Sequence, residues 1–364
     1  MSAGPTPADD GVASRNEGRP LDAGATPAAT RHAIRPARAA ELATCAAIWR
    51  DALNDYLGRL GQPEIPEDFG PILRLYDHLH ATDPTTFLVA DRSADGGDGG
   101  DGGDGGDGDP RSIDGFVVVV RRDRLAFLSM LFVRPGAQGH GLGRALLARA
   151  MPGAEPGATG VGDGGVAWRA TATDSVQPIS NGLYGSVGLV PRIPLLRLVG
   201  LPARDGEFGR LPDGVEAIGF DEVPDDTDGL GAFALAAELA ALDRDAAGFE
   251  RAPDHAFHAR EGRIGFLFRD QTGHAVGYGY SSEAGRLGPV AVRDEALLGP
   301  IVGHLVRSVR PRGAFGIWVP GSAGTAVVSL LRAGFRFDGF PVLLCWDRPF
   351  ADFARFIPMS PGLL

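Results

Sequence analysis

The sequence predicts an α+β fold built twice in tandem, and three observations carry that expectation. Residues 125–151, LAFLSMLFVRPGAQGHGLGRALLARAM, run from an apolar strand through a glycine-rich loop into an amphipathic helix. From Gly214 onward, the order of strands and helices met in the first half starts again. The chain is 364 residues long and 44% apolar, enough to bury two cores of ordinary domain size.

Taken in order, residues 1–30 are rich in Ala, Gly, Pro and Asp, with no apolar segment behind a basic start, and read as a disordered tail rather than a signal peptide. A short strand, HAIRPA, begins the first unit. Leu42, Cys45, Ala46, Trp49 and Leu53 then recur at helical spacing over 39–57. Helical patterning resumes over 67–79 after the breakers Pro63 and Pro66, and TFLVAD at 86–91 is the next strand. Residues 95–109 repeat Asp among glycines and read as a solvated hairpin tip. They lack both the apolar position of a calcium β-roll and the bidentate Glu of an EF-hand, so calcium is not expected there. Strands follow at 115–122 and 125–133, joined by a tight turn at Asp123, and then the glycine-rich loop and its helix. A strand at 166–173, a helix at 176–187 and a strand at 190–200 complete the unit. In the second unit, strands are expected at 215–220, 264–268, 275–281, 288–292, 314–320 and 341–346, with helices at 230–242, 296–309 and 325–333. The boundaries that result are a first domain over 31–200, a second over 213–348 and a closing tail over 349–364.

Composition narrows the chemistry. Net charge is −11, which argues against nucleic acid as a partner. No Lys occurs in the chain, and this removes Schiff-base chemistry and a phosphate-binding P-loop lysine. Cys45 and Cys345 have no metal-site or disulfide spacing, which fits a reducing cytoplasm. No apolar run reaches the roughly 20 residues of a membrane span.

The loop at 138–143 is the candidate binding element. Gln138, Gly139, Gly141 and Gly143 leave backbone N–H groups unshielded at a helix N-terminus, where the dipole favours an anion, so a phosphate or pyrophosphate ligand is expected. In RPGAQGHGLGRALL, the residues Gln138, Gly141 and Gly143 fill the pattern Gln or Arg, two residues, Gly, one residue, Gly or Ala. That segment resembles the acetyl-CoA signature of the GCN5-related N-acetyltransferases. A second segment, LYGSVGL at 183–189, resembles the family's Leu-Tyr-x-x-x-Gly-Phe stretch, with Tyr184 in the tyrosine position and Leu189 in place of Phe. Gln177 stands where the family usually has Asn, and Ser180 where Ala is common.

The resemblance implies tandem acyl-CoA N-acyltransferase folds, each a mixed, mostly antiparallel sheet flanked by helices. It further implies acetyl-CoA as cosubstrate, held by Leu131, Phe132, Val133, Gln138, Gly139, His140, Gly141, Leu142, Gly143 and Arg144. The strands ending at Val133 and starting at Val166 are then expected to splay and to leave backbone groups for the pantetheine arm. The implied reaction is direct attack by the primary amine of a small acceptor, through a tetrahedral intermediate, with Tyr184 as the acid that protonates the departing thiolate. The usual strand carboxylate is missing, since residues 125–133 offer only Ser129 as a polar group. Asp51, Asp55, Tyr76, Asp77, His78 or a water chain stay open as the amine's base.

In the second unit, Arg293 to Leu298 replace the cradle and bring two acidic side chains that would repel a pyrophosphate, so that unit is expected to be degenerate. Asp243, Arg244, Asp245, Gly248, Phe249 and Arg251 resemble an accessory acetyltransferase-like domain and could form a polar rim over a substrate. Two rival readings are an acyl-CoA-binding sensor without chemistry and a mycothiol-synthase-like transferase. The second is weakened because in that family the competent site lies in the C-terminal unit. No nucleic acid or membrane partner is expected, and homo-oligomerisation is left open.

Overall fold

The computed structural model describes residues 32–92, 112–153, 165–203, 205–223 and 230–364. The tail expected over 1–30 and the Asp/Gly tip over 95–109 lie outside the described residues. The first unit contributes strands β1 (Ala33–Pro36), β2 (Phe87–Asp91), β3 (Ile113–Arg122), β4 (Leu125–Val133), β5 (Trp168–Asp174) and β6 (Val190–Gly200). Its helices are α1 (Leu42–Arg59), α2 (Gly70–Thr82), α3 (Leu142–Ala150) and α4 (Pro178–Gly185). The second unit contributes β7 (Glu216–Gly219), β8 (Ile264–Arg269), β9 (Ala275–Ser281), β10 (Leu287–Val292), β11 (Phe315–Pro320), β12 (Arg336–Phe337), β13 (Val342–Trp346) and β14 (Phe356–Ile357). Its helices are α5 (Leu230–Leu242), α6 (Ala252–Arg260), α7 (Leu298–Ser308) and α8 (Gly324–Ala333).

The strands are mostly antiparallel, with β4 and β5 a parallel pair, and helices cover both faces. β3 shows why. Its run IDGFVVVVRR is buried at nearly every position, as a strand covered on both sides requires. Phe116, Val118 and Val120 join the core under α1 and α2, while Val117 and Val119 join the core under α3 and α4. Gly115 is small for a reason: a Cβ there would stand 2.9 Å from the Phe132 carbonyl oxygen.

The two units share one sheet. Its order is β1-β2-β3-β4-β5-β13-β6-β11, with β12 also on β6, so β13 from the second unit lies between β5 and β6 of the first. β6 in turn carries β11 of the second unit on its other edge. The second sheet is β14-β10-β9-β8-β7. Residues 349–364, expected as a tail, are packed: Phe353, Phe356, Ile357, Leu363 and Leu364 are buried, and β14 pairs with β10.

Polar side chains also join the units. Asp254 on α6 accepts from Arg122 Nε at 2.9 Å and Nη2 at 2.6 Å, and hydrogen-bonds His78 Nε2 at 2.8 Å. Arg122 Nη1 reaches Asp83 at 3.0 Å, and His78 stacks on Phe257 with centroids 4.5 Å apart. The residues expected to form a polar rim are divided. Asp243 and Arg251 are fully buried, joined at 3.0 Å and further tied to Tyr278 and His255, whereas Arg244 and Asp245 are more exposed. The helix before them carries the pair inward, because a π-turn over Asp243–Ala247 shifts the face by one residue. Gly248 has φ +81°, and a Cβ there would overlap the Phe350 carbonyl.

His258 is fully buried, and neither ring nitrogen has a hydrogen-bond partner among the described residues. Burial holds its pKa well below the usual imidazole range, and Arg263, Arg251, His255 and His78 push the same way. A lowered folded-state pKa means the unfolded chain binds the proton first, so stability is present above about pH 6.5 and is lost as pH falls below it. From pH 6.5 downward the stability tied to this residue should fall, by at most about 1.4 kcal/mol per pH unit for one proton. Denaturant midpoints measured across that range should show it in the native chain and lose it in His258→Phe.

Candidate active site

The site starts at a break in the sheet. β4 and β5 pair only from Leu125↔Trp168 to Leu128↔Thr171, after which no β4–β5 pairing continues. Two features open them there. In the β3–β4 register Val118 faces Met130 and Val119 faces Leu128, so Ser129 is an extra residue, a bulge that bends β4 away. Thr171 Oγ1 then donates to the Leu128 carbonyl at 2.9 Å and pins the last point of contact. Ser129 Oγ donates to the Gly362 carbonyl at 2.5 Å, so the closing segment braces the bulge from the α2 side, where Leu75 also meets Gly362.

Below the splay lies a cleft of about 590 Å³, within the ordinary range for a small-molecule site. Leu131, Phe132, Val133, Gln138, Gly139, Gly141, Leu142, Gly143, Arg144 and Tyr184 all line it. His140 is exposed and is not among the lining residues. The loop is built for an open helix start. Gly139 and Gly141 have φ of +83° and +81°, and a Cβ on either would meet no atom within 4 Å. Gly141 is the N-cap of α3 and supplies no side-chain cap, which leaves first-turn N–H groups without a capping partner where Gly141, Leu142, Gly143 and Arg144 line the cleft. Gln138 does not reach outward; its Nε2 donates to the Val133 carbonyl at 2.9 Å and ties the loop to the strand. In the second unit, Asp294 instead caps the short turn over Glu295–Leu297 that leads into α7, accepting from Ala296 N at 2.9 Å. The space beside β10 is filled by β14, pairing at Val290↔Ile357 and Ala291↔Phe356.

Tyr184 is buried on α4 in the core that Leu142 and Leu146 of α3 also join. Gln177 and Pro178 start that helix: the Gln177 side chain accepts from Ile179 N at 3.2 Å, and proline at the first position needs no partner. Burial drives the Tyr184 phenol well above the usual tyrosine range, with Cys345 adding to the rise and Ser180 opposing it. The phenol therefore stays protonated at neutral pH.

None of the five side chains held open as the amine's base lines the cleft. Asp51 and Asp55 lie on α1 with Arg134 and Arg59, and Asp77 is exposed on α2. Tyr76 is in the core and His78 is engaged by Asp254. The cleft instead contains Asp174, at the end of β5, and Tyr56 of α1. Both escaped the sequence reading, although the alternation Ala170, Ala172, Asp174 along a strand with one face buried was a usable signal.

The fold places the chain among known structures. It superimposes on an inferred acetyltransferase from Pyrococcus horikoshii with a TM-score of 0.63 and 14% identity, over 92% of this chain and 96% of that one. A GCN5-related N-acetyltransferase from Sphaerobacter thermophilus matches with a TM-score of 0.50 and 16% identity, over 89% and 98% of the two chains. No family model and no curated protein matches the sequence. The chain has the acyl-CoA N-acyltransferase fold of the GCN5-related N-acetyltransferases.

Proposed function

We propose that the protein is an N-acetyltransferase that moves the acetyl group of acetyl-CoA to a primary amine of a small acceptor. The observation that carries this reading is the open splay between β4 and β5 leading to an uncapped, glycine-lined helix start, with a buried phenol at its side. The first-turn N–H groups of α3 suit a pyrophosphate, and the β4 edge over Leu131–Val133 suits the amides of a pantetheine arm. A backbone N–H on that edge polarises the thioester carbonyl as the amine attacks. The tetrahedral intermediate collapses with cleavage of the C–S bond, and Tyr184 gives its proton to the sulfur. In the second unit β14 fills the space beside β10, so one cofactor site per chain is proposed.

Titration with acetyl-CoA, combined with thiol release over a panel of amines, tests this. Acetyl-CoA binding with amine-dependent thiol release is expected; tight binding with no release for any amine would instead support a sensor. A second check uses charge. Gly143→Asp is expected to lower acetyl-CoA affinity about tenfold by placing a carboxylate at the cradle. Its Cβ would meet only Leu183 at 3.8 Å and Val133 at 4.0 Å, and an acid in the first helical turn favours the helix, so melting should be unchanged. Calorimetric titration and a thermal melt of the same variant separate the two effects.

A further inference from the structure

We propose that Asp174, beside Tyr56 in the cleft, receives the acceptor's ammonium group and takes a proton from it, and that the acceptor is a small primary monoamine with an apolar body. This rests on the acetyl-transfer reading of the same cleft.

The faces of the sheet carry the argument. Side chains alternate along β5, and Ala170 and Ala172 pack with the core under α1 and α2. Asp174, two residues on, belongs to that face, and Tyr56 of α1 lies beside it in the cleft. Tyr184 packs in the core under α3 and α4. The carboxylate and the phenol therefore stand on opposite faces of the sheet, at the place where β4 and β5 part and a reacting carbonyl can be reached from both. A thiolate leaving toward Tyr184 and an amine arriving past Asp174 match the in-and-out geometry of acyl transfer.

The carboxylate is held rather than free. Its Oδ1 accepts from Val176 N at 3.1 Å, while its backbone carbonyl takes Asn181 Nδ2 at 2.9 Å and so fixes the turn into α4. Burial raises the Asp174 carboxyl above the ordinary aspartate range, against the pull of the Val176 N–H and Tyr56. Tyr56 is itself pushed up to about 12, first by burial and then by the charge of Asp174, so it faces the carboxylate as a neutral phenol. From β13, Val342 is the residue opposite Asp174, and it brings no charge. The other charged side chain lining the cleft is Arg144, at the cradle end.

The class of acceptor follows from that balance. Ala52, Leu53 and Ile179 give the mouth an apolar surface, and a single carboxylate offers one site for one cation. An acceptor with a carboxylate or phosphate next to its nitrogen would be repelled, and a polycation would leave charges unpaired. In the reaction, the ammonium loses two protons. One passes to Asp174 and on to solvent; the other leaves the nitrogen as the C–N bond forms and the C–S bond breaks, and restores the proton that Tyr184 gives to sulfur.

The test compares the full-length chain with Asp174→Asn and Tyr56→Phe. Asparagine keeps the oxygen that accepts from Val176, so the turn survives. With 2-phenylethylamine as acceptor, Asp174→Asn should lower kcat/KM about 10²-fold or more, and Tyr56→Phe by a few-fold, with acetyl-CoA affinity unchanged. With hydroxylamine, which is already neutral at pH 7, the Asp174→Asn loss should shrink to less than about tenfold. Equal losses with both acceptors, or no loss with either, would overturn the proposal. Calorimetric binding of 2-phenylethylamine to the chain saturated with coenzyme A provides a readout without turnover: binding to the native chain that disappears in Asp174→Asn is expected. Amine binding that survives in the variant, or is missing from the native chain, rejects Asp174 as the receptor. Absence of thiol release from the native chain with every amine, alongside Asp174-dependent amine binding, rejects the transfer reaction alone.

Discussion

Asp254→Ala should cost the fold about 3–5 kcal/mol, the largest stability loss expected from one side chain here. The carboxylate is fully buried between the units and accepts from Arg122 through both oxygens while holding His78. Burial alone would raise its pKa, but His78 and Arg122 outweigh burial and hold it below the ordinary aspartate range. Removing it strands a guanidinium away from water with Asp83 as its remaining carboxylate and the Arg121 carbonyl and Thr82 as neutral partners. Because its folded-state pKa is lowered, the stability it contributes is present above the unfolded aspartate value near 4 and is lost as pH falls through the folded value. Urea midpoints at neutral pH measure the loss, and a shift worth less than about 1 kcal/mol would contradict it. Replacing both partners, as in Arg122→Met with Asp254→Leu, should recover most of the stability, since a buried ion pair is costly to break and inexpensive to remove whole.

Tyr184→Phe carries the largest effect expected on activity from the sequence-derived site. If the proposed mechanism holds, losing the proton donor should lower kcat about 10²-fold, with acetyl-CoA affinity unchanged, because in that mechanism the phenol meets the sulfur only as the C–S bond breaks. The pH profile adds an independent mark. Burial raises the phenol, so its acid form persists past the ordinary tyrosine pKa near 10, and kcat in the native chain should show no loss of the acid up to pH 9. Steady-state kinetics with a fixed amine across pH 6–9 check both statements; full activity in the variant would remove Tyr184 from the mechanism.

Much of the first unit was legible because its signals are local. The run from Leu125 to Ala150 announces strand, loop and helix through apolar periodicity and glycine placement, and the structure puts β4, the open loop and α3 there. Tyr184 was legible as a motif residue, and it lies in the same cleft. What could not be read is what depends on distant pairing. The two-residue strand β14 has no periodicity of its own; it exists because β10 offers an edge. Asp243 and Arg251 look like surface charges in a polar stretch, and only the π-turn and the tyrosines of β9 show that they are interior. Asp174 fell just past a strand expected to end at 173, and its neighbour in the cleft, Tyr56, stands more than a hundred positions earlier in the chain.

The shared sheet has a consequence for how the protein is made. β13 must slot between β5 and β6, with Val342 beside Asp174 and Leu195, so the first sheet cannot close when its own strands leave the ribosome. At about 5–20 residues per second, the wait for β13 is on the order of ten seconds or more. Through that interval β5 and β6 present open edges, that of β6 rich in Val, Leu and Ile, a template for pairing with a neighbouring nascent chain. Synthesis on crowded polysomes should therefore favour strand exchange between copies, and the yield of monomer should depend on how quickly the second half follows the first.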